Sequence, residues 1–96
     1  MTTIMPTVFP LDPDADLDFG FDWSDWLAIG ETISSSSWTL TPATGLTQHT
    51  DAHSNTIATV WLKEVVAGAT HRVTNSIVTS DGRKDDRSFY VKGVER

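Results

Sequence analysis

Aspartates at positions 12, 14, 16, 18, 22 and 25 are the densest group of chemically capable side chains in the chain. Counted from Asp14, they fill positions 1, 3, 5, 9 and 12 of a calcium-loop pattern, but Phe19 stands where that loop needs glycine and Gly20 comes one place late. In an extended segment the same alternation turns the carboxylates to one side and the phenylalanines to the other. That describes an acidic edge facing solvent or a partner, and no metal is expected on it. His49 and His53 have the spacing of a zinc pair on a helix, yet Thr50-Asp51-Ala52 between them reads as turn and the chain has no cysteine to complete a set. Ser34 to Ser37 supply hydroxyls without a G-x-S-x-G elbow, and no glycine-rich phosphate loop is present. Neither a catalytic residue nor a cofactor is expected.

The tail SDGRKDDRSFYVKGVER interleaves both charge signs with aromatic residues. Charges on a terminal strand discourage unwanted edge pairing. Arginine forks also suit carboxylates across a subunit boundary, so Arg83, Asp86 and Arg87 are candidate partner-binding residues. At the other end, Phe9, Leu11, Asp12, Asp14 and Asp16 are the matching candidates, because an extended segment bearing isolated apolar residues needs something to cover them.

The elements that must position these groups read almost entirely as strands. Arg72 to Thr79 alternates Val73, Asn75, Ile77 and Thr79 against Thr74, Ser76 and Val78. Arg87 to Val94 repeats the pattern, with Phe89 and Val91 on one face, and Asp81-Gly82 offers the positive-φ residue of a tight reversal. The pair predicts a β-hairpin with one apolar side. Residues 1–16, with Pro6, Pro10 and Pro13, predict an extended arm held by a neighbour, its apolar residues including Ile4 and Met5. Residues 17–96 form the domain proper.

Within that domain, Leu17, Phe19 and Phe21 alternate with acidic residues as a first strand. A short helical turn near 24–29 follows, capped by Ser24 or Asp22 and closed by Gly30, with Trp23, Trp26 and Leu27 inward. Thr32 to Thr41 is a hydroxyl-rich strand, and Leu46 to Thr50 a short one before a polar loop, His49 to Asn55. Thr56 to Lys63 is a central strand with two largely apolar faces. Short strands at this spacing, with little helix, predict an all-β fold: a single immunoglobulin-like antiparallel β-sandwich.

Charge is split along the chain. Met1 to Leu62 carries eight acidic and no basic residues, whereas all seven basic residues lie from Lys63 onward, and the formal net charge is −6. Either the acidic front of one copy meets the basic hairpin of another, or both ends meet within one chain. A net negative chain is a poor partner for nucleic acid. No apolar run is long enough for a signal peptide or a membrane span, so a soluble protein of a cytoplasm, or of a particle assembled there, is expected.

Several word groups are specific. DPDADLDFGFDWSDWL, GETI with SSW, VWL, and VTNSIVTSDGRKDDRSF resemble the fiber-tail adaptor, or virion structural, proteins of tailed phages and prophages. The resemblance covers about residues 12–96, and its specific parts are Asp-Trp-Ser-x-Trp-Leu and Ser-x-Gly-Arg-x-Asp-x-Arg-Ser. Lys63-Glu64-Val65-Val66 stands where a glycine-containing turn is expected, and His71 where an aromatic residue is common. The resemblance implies an immunoglobulin-type fold without catalytic residues, placed in the virion after assembly in a bacterial cytoplasm. Its partners would be other virion proteins of tail, neck, fiber or capsid, and copies of itself. A capsid decoration protein is the alternative within that class. A carbohydrate- or receptor-binding module with Trp38 or Tyr90 as an exposed platform is the alternative outside it.

Overall fold

A computed structural model describes residues 7–95. The hairpin is its spine: β6 (Thr70–Thr79) and β7 (Lys84–Gly93) pair antiparallel from Thr70 opposite Lys92 to Val78 opposite Lys84. The reversal closes where the Gly82 amide donates to the Thr79 carbonyl at 2.9 Å, and Gly82 sits at φ +84°, a conformation that costs glycine nothing. Val73, Asn75, Ile77 and Thr79 are all buried on the inner face, as are Phe89 and Val91. The period-2 alternation thus orients this pair as expected.

Five further strands complete two sheets: β1 (Val8–Leu11), β2 (Asp16–Asp22), β3 (Ile33–Thr41), β4 (Thr47–His53) and β5 (Ile57–Lys63). One sheet has the order β1-β7-β6-β3 and the other β2-β5-β4. Together they make the all-β, immunoglobulin-like sandwich expected from the strand spacing. Its core joins Ala58, Val60 and Leu62 of β5 to Val73, Ile77, Phe89 and Val91 of the opposite sheet, with Trp23 and Trp38 among them.

Two sequence expectations are altered by pairing. Residues 1–16 were read as an arm reaching for a neighbour; residues 1–6 lie outside the described range, but Val8–Leu11 is a strand of this chain's own sheet. It runs parallel to β7, Val8 opposite Tyr90 and Leu11 opposite Gly93, so the sandwich is not purely antiparallel. Pro10 is accommodated because β1 is an edge strand and the sheet asks nothing of its outer side. Second, His49–Asn55 is not a loop: β4 continues to His53, although nearly every residue in it is exposed. Pairing to β5 supplies its backbone bonds, which polarity of the side chains does not forbid at a sheet edge. The short helical turn expected after β2 is present as a single hydrogen-bonded turn, with the Leu27 amide donating to the Trp23 carbonyl at 3.0 Å.

The turn missing its glycine is informative. Glu64 adopts φ +58°, the left-handed region in which glycine is at home. The backbone there keeps the conformation that the resemblance implied, and a side chain tolerates it. His71 is buried, with Nδ1 2.9 Å from the Pro42 carbonyl, so it ties the β3–β4 loop to the hairpin.

Candidate interaction site

The two word groups singled out in the sequence fold against one another. Asp22 ends β2, and one of its carboxylate oxygens accepts the Ser24 amide at 2.9 Å, which starts the turn carrying Trp23 and Trp26. Of the two candidate caps, Asp22 is the one used. The Ser24 amide is the main reason that its carboxyl lies below the ordinary aspartate range. Gly30, at φ +81°, then redirects the chain so that Glu31 points inward.

Two arginines of the hairpin clasp this turn. The Arg83 guanidinium lies 4.0 Å from the Trp26 ring centroid and donates to the Trp26 carbonyl at 3.2 Å. The same guanidinium makes a fork with Glu31, Nε donating to Oε2 at 2.9 Å and Nη2 to Oε1. The fork is completed by the Thr79 hydroxyl, 2.6 Å from Oε2, and the Ala28 amide, 2.9 Å from Oε1. Hydrogen bonds from Arg83 first, then Thr79 and Ala28, hold the Glu31 carboxyl down to about 2. Four residues on, in β7, Arg87 lies 4.2 Å from the Trp23 ring centroid and donates to the Asp22 carbonyl and to Asp25 Oδ1, each at 3.2 Å. Trp23 is wholly buried, and its indole N–H donates to Asn75 Oδ1 at 2.9 Å.

This arrangement places the expected partner-binding residues differently from the sequence reading. Arg83 and Arg87 were expected to form salt bridges across a subunit boundary, and their forks are taken up inside the chain. Asp86 lies exposed on the outer face of β7, opposite Ser76. Leu11 is a core residue at 1% exposure. Phe9 is 38% exposed and packs against Phe19 and Phe89 with centroids 5.4 and 5.5 Å away. Asp12 and Asp14 build the β1–β2 turn, where the Asp14 amide donates to Asp12 Oδ1 at 2.8 Å. Asp16 pairs with His49, Nδ1 to Oδ2 at 2.8 Å. Trp38, considered as an exposed platform, is instead buried and stacks on Phe21 at 6.1 Å.

Sequence reasoning did not single out Glu31, and it placed Trp26 and Asn75 on inner faces without assigning them to a site. Glu31 had one available signal, since it is the lone glutamate before Lys63 in a chain whose arginines all lie far downstream. Asn75 had another: an amide at an inward-facing strand position must find partners, and it donates to Ser36 Oγ and the Ser37 carbonyl as well.

Beside the clasp the sandwich is open. Between the β2 edge and the β1–β7 edge lies a cavity of about 330 Å³ lined by Phe9, Phe19, Phe21 and Phe89 with Thr7, Asp18, Gly20 and Ser88. Phe9 of β1 forms one wall of this mouth. What the arrangement offers is an acidic edge next to an apolar slot.

No curated protein matches the chain. A protein-family profile described as "Podophage GP4 fiber-tail adaptor protein gp77" matches residues 11–92, which takes in the whole sandwich from the end of β1 almost to the end of β7 and both halves of the clasp. The chain therefore belongs to this family of podophage fiber-tail adaptor proteins.

Proposed function

We propose that this protein is a non-enzymatic virion component that joins fibers to the tail or neck of a phage particle, acting in several copies. The observation that carries the reading is the family match over nearly the whole sandwich. The surface supports it. Arg72, Tyr90 and Lys92 share the outer face of one sheet, while Asp16, Asp18 and Asp22 share the outer face of the other. Asp86 on the first face and Lys63 on the second leave each with a net excess of opposite sign, and a body so charged orients itself between unlike neighbours. The internal clasp keeps the two sheets in fixed relation, so that load applied to one face reaches the other. Repetition around a symmetric particle would make modest single contacts collectively strong. Assembly would take place in the cytoplasm of the host bacterium, before release of the virion.

The test is a particle from which this chain has been deleted. Electron microscopy is expected to show heads and tails without fibers, and the intact particle is expected to carry density for this chain at the fiber attachment points. Copies spread over the head surface, with fibers still attached in the deletion, would replace the adaptor reading by capsid decoration.

A further inference from the structure

The geometry points to the free edge of β2 as an acceptor for one added strand, contributed by another protein and alternating lysine or arginine with apolar residues. The Trp23 amide donates to the Thr56 carbonyl, and Phe21, Phe19 and Leu17 lie opposite Ala58, Val60 and Leu62. In an antiparallel ladder, bonded pairs alternate with unbonded ones. The odd-numbered residues of β2 therefore spend their backbone groups on β5, and Asp16, Asp18, Gly20 and Asp22 aim theirs away from the sheet. Arg87 takes the Asp22 carbonyl. At Asp18 and Gly20 no other strand pairs with this side among the described residues.

The side chains specify what would fit. A strand laid beside β2 sets its inward residues over the cavity walled by Phe9, Phe19 and Phe89, whose roughly 330 Å³ has room for apolar side chains. Its outward residues become cross-strand neighbours of Asp16, Asp18 and Asp22, where opposite charge is favourable and like charge is not. A second copy is a poor occupant. β2 against β2 sets aspartate beside aspartate, and β1, β3 and β4, which form the other sheet edges, contain no lysine or arginine. The occupant is thus an extended basic and apolar segment of an unlike chain, added by strand pairing. This deepens the adaptor reading by naming a surface and the chemistry of its partner.

The experiment titrates the isotopically labelled full-length protein with a short capped peptide alternating lysine and leucine. Amide shifts and slowed hydrogen exchange are expected at Asp18 and Gly20. Methylating the peptide backbone at each lysine preserves its charge but removes donors, and should weaken binding about tenfold or more. Asp18→Lys should weaken it similarly, whereas Asp51→Lys on the opposite edge should not. Equal binding of the methylated peptide would overturn strand addition in favour of plain charge attraction, and so would shifts centred on β4. Concentration-dependent protection of Asp18 and Gly20 in the protein alone would assign the edge to a second copy. Each of these results leaves the fiber test untouched, so the two readings fail separately.

Discussion

Trp23→Ala is expected to destabilise the fold by about 3–5 kcal/mol, the usual cost of emptying a large aromatic site. A domain of this size has on the order of 5–15 kcal/mol in total, so most of the margin would go. The reason lies in what converges on the ring. Trp23 is wholly buried, stands 5.5 Å from Trp26 and 6.3 Å from Phe21, lies beneath Arg87, and is hydrogen-bonded to Asn75. Removing it leaves a cavity between the sheets, strips the Asn75 carbonyl oxygen of its donor, and frees the Arg87 guanidinium. Trp23→Phe separates these effects. Most of the volume stays while the indole N–H is lost, and an unsatisfied buried acceptor costs about 1–3 kcal/mol. Urea unfolding followed by the emission of the remaining tryptophans measures both. An alanine variant within about 1 kcal/mol of wild type would show that the clasp is peripheral to the fold.

The second large effect is expected at Glu31. Its carboxylate accepts from Arg83, Thr79 and the Ala28 amide at once. Glu31→Gln keeps the shape but turns an N–H toward donors. We expect the melting temperature at neutral pH to fall by roughly 5–10 °C. The pH dependence identifies the group. A carboxyl held at about 2 in the folded chain, against an ordinary value of 4.5, favours folding most fully above about 4.5. That contribution is lost as the pH falls toward 2. Wild type should therefore lose melting temperature more steeply than Glu31→Gln over this window, the two curves converging in acid. Parallel curves would refute the assignment. Arg83→Ala should fall between them, since Thr79 and Ala28 still serve the carboxylate.

Both effects bear on function through rigidity. Asp22 and Asp25 lie at one end of the β2 edge, and Arg87 binds them to β7. The clasp thereby ties the end of the acidic edge to the opposite sheet. A loosened clasp should weaken strand capture even in a variant that still folds.

Much of this was legible in the residues. Period-2 alternation in Val73 to Thr79 and in Phe89 to Val91 determined which side chains would be buried, because a pleated backbone leaves no choice once one face must leave water. The Asp81-Gly82 reversal, the Asp22 cap and the Gly30 exit are local matters of backbone conformation, and the sequence encodes them locally. What it could not decide was who pairs with whom. Val8–Leu11 is compatible with an arm or with a strand, and only the unpaired side of β7 selects the latter. Thr47–His53 is polar enough for a loop, and the ladder with β5 makes it a strand. Arg83 and Arg87 have the same forks whether their carboxylates belong to this chain or another. Tertiary folding places Glu31 and Asp25 beside them, at sequence separations of 52 and 62 residues. Alternation is a property of each residue with its neighbours in the chain, but charge pairing depends on distances that exist only after both sheets have closed.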